Sequence, residues 1–132
     1  MKTWMISSDK QAIDETIHEA LQDFISRKRS GYAIKVSDFL LRLAVDEALT
    51  NAWRHGNRCD RSKSIILTLR FHPERVDIVV RDEGAGFTPC RIPPPYNLEN
   101  IFKRSGRGIY LLRILAAARW NSRGNVVHMT LD

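Results

Sequence analysis

The chain has 132 residues, and with no internal repeat in view the expectation is a single domain by the usual size prior, with no second one. Apolar and charged shares of 43% and 27% are those of a soluble globular protein with a single core of two packed layers. The formal charge, +6, suits phosphate, nucleic acid or an acidic protein as partner, although solvated Lys and Arg on helix faces explain it equally well.

The first residues, Met1-Lys2-Thr3-Trp4-Met5-Ile6, lack the apolar run of a signal peptide. No segment is long enough to span a bilayer, so the expectation is a cytoplasmic protein without a membrane partner. Thr3 to Ser7 alternate weakly and predict a short first strand. From Asp9 to Arg29, Ile13, Ile17, Leu21, Phe24 and Ile25 recur at helical spacing. The basic end Arg27-Lys28-Arg29 suits the negative pole of that helix, before Gly31. Ser37 predicts the N-cap of a second helix, and Gly56 its stop.

Ser64 to Phe71 and Val76 to Arg81 are rich in β-branched residues and are joined through His72-Pro73-Glu74, which predicts an antiparallel hairpin. Thr88 to Lys103 reads as a loop containing Pro93-Pro94-Pro95, long enough for a functional lid at about 88–105. A third helix fits Gly108 to Arg119. Trp120 to Ser122 and Val126 to Leu131 then close the chain as a hairpin about Arg123-Gly124. Cys59 and Cys90 have neither C-x-x-C spacing nor a companion His cluster, so neither zinc nor a disulfide framework is implied. The order βααββ, lid, αββ predicts an α/β fold of the α+β two-layer kind, with a mixed, largely antiparallel sheet covered by helices on one face.

The second helix carries Glu47, Asn51 and His55 four residues apart, a polar stripe along one face. Such a stripe is out of place between Phe39-Leu40-Leu41 and Ala52-Trp53 unless it lines a site. Glu47 can take a proton, and Asn51 offers a neutral oxygen to a hard cation such as magnesium. His55 has a plainer reading as a cation near a helix C-terminus. Asp82-x-Gly84-x-Gly86 follows a strand; the glycines permit close backbone approach, and the carboxylate can accept from an exocyclic amino group. Alone, it is also a common turn.

Gly106-x-Gly108 opens the third helix, where unpaired amides and the positive pole bind phosphate oxygens. It is no dinucleotide fingerprint, since it follows a loop and lacks a third glycine, and no Walker sequence occurs. Lys103, Arg104 and Arg107 surround it and can neutralise polyphosphate. The Arg54, Arg58, Arg61 and Lys63 cluster has little aromatic interleaving and no recognisable motif, so nucleic acid is a minor expectation.

In series, Glu47-x-x-x-Asn51, Asp82-x-Gly84-x-Gly86 and Gly106-x-Gly108 resemble the three boxes of the GHKL ATPase superfamily. Asp46-Glu47-Ala48-Leu49-Thr50-Asn51-Ala52, His55-Gly56-Asn57 and Ser105-Gly106-Arg107-Gly108-Ile109-Tyr110-Leu111-Leu112 resemble its anti-sigma-factor serine kinases of bacterial partner switches. The resemblance covers nearly the whole chain and implies a Bergerat-type ATP-binding sandwich, with ATP between the helices and the lid. It implies Glu47 as general base and Asn51 as Mg²⁺ ligand. Asp82 would bind the adenine amino group beside Gly84 and Gly86, with Gly106 and Gly108 on the phosphates. His55, Arg104 and Arg107 complete the ATP-binding set expected.

Relatives of this kind phosphorylate a serine on a small anti-anti-sigma (STAS-type) protein, bind a sigma factor when it is absent, and often work as homodimers. Histidine kinases commonly have Asn at the first box position, so Glu47 favours a hydroxyl or water as phosphoryl acceptor. Two features depart from the pattern: the short lid has three consecutive prolines, and Gly124-Asn125 stands where many relatives have Gly-Thr. The expectation is an ATP-dependent protein-serine kinase and anti-sigma regulator. Its rival is a nucleotide-binding interaction module without phosphotransfer.

Overall fold

A computed structural model describes residues 1–32, 35–84 and 117–132. The expected lid at 88–105, Gly86, Arg104, Gly106, Arg107, Gly108 and most of the third helix lie outside the described residues. The described elements are β1 (Lys2–Ser7), α1 (Lys10–Arg29), α2 (Asp38–Asn51), a π-helical turn (Ala52–Gly56), β2 (Ser64–Phe71), β3 (Val76–Arg81), β4 (Arg119–Trp120) and β5 (Val126–Leu131).

Both helices begin where a side-chain oxygen replaces a missing carbonyl. Asp9 Oδ1 accepts from the Ala12 amide at 2.9 Å, and Ser37 Oγ accepts from the Leu40 amide at 2.9 Å. The basic end of α1 also ties the helices together, because Lys28 Nζ donates to the Val36 carbonyl at 2.8 Å and to Asp38 at 3.0 Å. The α-helical hydrogen bonding of α2 gives way before Gly56. The Asn57 amide reaches back five residues to the Ala52 carbonyl at 2.7 Å, so the last turn is wide.

The five strands run in the order β1-β2-β3-β5-β4, and every described pairing is antiparallel, with no parallel component among them. Alternation dictates the face: Ile65, Leu67, Leu69 and Phe71 are buried along β2, while their neighbours are not. The register then carries one row across the whole sheet, Trp4–Leu67–Val80–Val127–Trp120, buried at its three central residues and half-buried at the two tryptophans. Ile13, Ile17, Ala20 and Phe24 of α1 and Leu41, Val45, Ala48 and Leu49 of α2 join this face in one core, and Phe24 stacks on Phe71 with ring centroids 6.0 Å apart. The expected α+β architecture is the one observed.

Both boundaries of β4 differ from expectation. Arg119 belongs to β4 rather than to a helix, and β4 ends at Trp120 instead of reaching Ser122. Ala117 has φ +42°, a left-handed backbone that a continuing α-helix excludes. At the other end, the Asn121 side chain folds over the following turn, taking three of its amides and stopping the strand.

Candidate functional site

A narrow cleft of about 20 Å³, partly open to solvent, lies between the end of α2 and the ends of β3, β4 and β5. Its helical wall is Ala48, Asn51, Ala52, His55 and Gly56; its sheet wall is Val80, Asp82, Trp120, Gly124, Asn125 and Val127. The mix of apolar walls with few polar groups is that of a ligand site.

The helical wall is built from two adjacent stripes. Ala48, Ala52 and Gly56 recur every four residues and are small, which leaves the room. Asn51 and His55 stand beside them, one half-buried and the other exposed. Glu47, half-buried one turn before Asn51, is outside the lining. Of the predicted polar stripe, then, the structure brings Asn51 and His55 to the cleft and leaves Glu47 beyond it.

Asp82 closes the sheet side. Its Oδ1 accepts from the Gly84 amide at 2.8 Å, and its own amide donates to the Asn125 carbonyl at 3.0 Å. Burial pushes its carboxyl above the ordinary 3.8, against the Gly84 N–H bond and the positive charges of Arg123 and Lys63. A carboxylate kept in so poor a solvent has a demand for a donor that a ligand can supply.

The glycines fit around this carboxylate. A β-carbon on Gly56 would run into the Asp82 carboxylate, and one on Gly84 would run into the Gly56 carbonyl. The end of α2 and the loop after β3 therefore touch through backbone, whereas the sequence led to the expectation of a close approach to a ligand.

Sequence reasoning gave no role to Asn57, which is fully buried. Its Nδ2 donates to the Ser64 carbonyl at 3.0 Å and its Oδ1 accepts from the Glu83 amide at 2.8 Å. It joins the π turn to the start of β2 and to the loop behind Asp82. Arg58 and Cys59 follow with φ of +53° and +60°, a strained turn that this anchor helps hold. Trp120 and the small-residue stripe were also missed as lining, and Asn125 was noted only as a departure from the Gly-Thr of many relatives. The four-residue spacing of Ala48, Ala52 and Gly56 was the signal available for the stripe. Among the described residues no three His, Cys, Asp or Glu side chains gather into a metal cluster, and no helix is long and apolar enough to cross a membrane.

A profile of the histidine kinase-like ATPase domain matches residues 7–131. The chain is 34% identical over 74 residues to an anti-sigma F factor of Clostridium perfringens, covering 54% of this chain and 53% of the relative. It is 30% identical over 81 residues to the serine-protein kinase RsbW of Bacillus licheniformis, covering 57% and 51%. It is 31% identical over 96 residues to the serine/threonine-protein kinase BtrW of Bordetella bronchiseptica, covering 70% and 68%. The chain spans about half the length of the first two relatives.

Proposed function

This chain belongs to the histidine kinase-like ATPase family, and from that premise we propose that it is an ATP-dependent protein-serine kinase that doubles as a partner-switching regulator. The observation that carries the reading is a single cleft with Asn51 on one wall and the buried, glycine-cradled Asp82 on the other. The residues present fit adenine and a hard cation. Asp82 supplies a desolvated acceptor for an exocyclic amino group, and the stripe Ala48, Ala52, Gly56 keeps bulky side chains off the facing wall.

Asn51 is the residue assigned to Mg²⁺. One carboxamide is enough where phosphate oxygens and water complete the shell, as is usual for this ion, so a protein-built cluster is not required. Gly84 lets the backbone close on Asp82. Gly106 and Gly108, with Arg104 and Arg107, are assigned to the phosphates, and His55 to the rim.

Bound MgATP supplies an activated phosphoryl group, whose transfer asks the protein for position and charge neutralisation more than for covalent chemistry. Glu47, one turn from Asn51, is assigned the base. As the serine oxygen forms its bond to the γ-phosphorus and the β,γ-bridging oxygen leaves, the hydroxyl proton passes to the Glu47 carboxylate. A small anti-anti-sigma (STAS-type) protein is the proposed substrate and a sigma factor, or an equivalent regulator, the captured partner. The names of the relatives, anti-sigma factor and serine-protein kinase, support that pairing.

Incubation with labelled ATP and candidate anti-anti-sigma proteins tests the proposal. Label on a serine of one of them is the expected result. Tight MgATP binding with no transfer to any such protein would favour the interaction module instead.

A further inference from the structure

The turn between β4 and β5 holds two asparagine side chains in series. Asn121 Oδ1 accepts from the backbone amides of Gly124 at 2.9 Å, Asn125 at 3.0 Å and Val126 at 3.1 Å. Only an oxygen can fill that place, so the other end of this carboxamide is its NH₂. That NH₂ meets the Asn125 side chain at 2.7 Å, where again only an oxygen can face it. The far end of the Asn125 carboxamide is therefore a donor. It lies 3.4 Å from the Asp82 carbonyl, on the lining of the cleft. One of its hydrogens points to that carbonyl, which leaves the second for a ligand.

We propose that Asn125 is a base-reading residue and Asn121 the positioning residue that fixes its polarity, so that the cleft presents an acceptor, Asp82, beside a donor, Asn125. The proposal rests on the adenine-nucleotide reading above and names what selects the base. An acceptor beside a donor matches a purine edge with an amino group next to an unprotonated ring nitrogen, as in adenine. Guanine in the same pose sets its carbonyl against the Asp82 carboxylate and its ring N–H against the Asn125 NH₂. Both contacts repel, and discrimination built this way acts against the wrong base as much as for the right one.

The polarity can be inverted without touching the lining. In Asn121→Asp, one carboxylate oxygen still takes the three backbone amides. The second oxygen now accepts, so the Asn125 carboxamide turns its NH₂ toward residue 121 and its oxygen to the cleft, giving up the long 3.4 Å bond to the Asp82 carbonyl for the closer contact at residue 121. ATP then loses a donor and meets an acceptor, whereas the ring N–H of GTP gains a partner.

Calorimetric titration of the full chain with ATP and with GTP, for native protein, Asn121→Asp and Asn125→Ala, tests the proposal. The ratio of the two dissociation constants is the readout, because a turn residue that merely supports the fold weakens both nucleotides alike. The expected result is a shift toward GTP of at least about tenfold in Asn121→Asp, carried mostly by weaker ATP binding, and a smaller shift of the same sign in Asn125→Ala. A ratio within about twofold of native in both variants would overturn it while leaving the nucleotide site standing. Native protein that binds neither nucleotide would overturn the adenine reading, and this inference with it. Asn125→Ala removes one amide and leaves the Asn121 turn intact, so the question stays answerable if Asn121→Asp fails to fold.

Discussion

The carbonyl oxygen of Gly56 occupies the space that a side chain on Gly84 would need. This contact joins the end of α2 to the loop after β3 with nothing between them but backbone, and Asp82 sits in the corner it forms. Gly84→Ala must push one backbone segment away from the other, since the obstacle is not the end of a flexible side chain. We expect a loss of about 1–3 kcal/mol of stability, in the range of an overpacked core. Nucleotide binding should weaken with it, because the displaced corner carries Asp82. Denaturant unfolding and ATP titration check both, and a variant as stable as the native chain would mean that the two segments slide apart freely.

Asp82 sets stability against binding. Its carboxyl titrates above the ordinary 3.8 because burial disfavours the charge, so the folded state holds a proton that the unfolded state has released. Stability on its account is unaffected below the ordinary value and falls as pH rises through the raised one. Asp82→Asn removes that penalty and should unfold at higher denaturant than the native chain at neutral pH, with the difference vanishing in acid. ATP binding should fall by about 1.5–3 kcal/mol, the worth of a hydrogen bond to a charged group. Unfolding curves at several pH values and calorimetry check the two signs.

How far the chain could be read from its letters depended on what kind of signal each feature leaves. Ser64–Phe71 and Val76–Arg81 were legible to the residue, because alternate burial of Ile65, Leu67, Leu69 and Phe71 is written directly as β-branched and apolar periodicity. Ser37 was legible as a cap, since its hydroxyl has only local work to do. The π turn was not: a hydrogen bond from Asn57 to Ala52 instead of Trp53 leaves no compositional trace. Arg119 was assigned to the end of an expected helix, because the left-handed Ala117 before it is not a residue type that announces φ above zero. Of the polar stripe at Glu47, Asn51 and His55, the last two line the cleft; the small stripe Ala48, Ala52, Gly56 runs beside them, one position round the same helical wall, and small residues attract little notice in a sequence. Asn57 and Asn125 work by contacts to Glu83 and Asp82, distant in sequence, and no spacing rule links them.

Asn51→Ala tests the cation. The carboxamide stands on the cleft wall and no acidic cluster is found among the described residues to substitute for it. Native protein should bind ATP more tightly in magnesium than in excess EDTA. Asn51→Ala should lose most of that difference, with little change in affinity for ADP in EDTA. Equal ATP affinity for native protein with and without magnesium would remove the metal from the account.

The most direct measurement of the central claim is single-turnover phosphotransfer to a serine of the cognate anti-anti-sigma protein, with native chain and with Glu47→Gln. The substitution is nearly isosteric and keeps a hydrogen-bonding oxygen, yet it cannot accept the proton. Glu47 lies outside the cleft lining, so MgATP affinity and partner binding should stay near native. Transfer should slow by about 10²-fold or more, the usual contribution of a positioned general base. Equal rates in the two proteins would contradict the assignment of Glu47, and no transfer by the native protein despite tight MgATP binding would contradict the kinase itself.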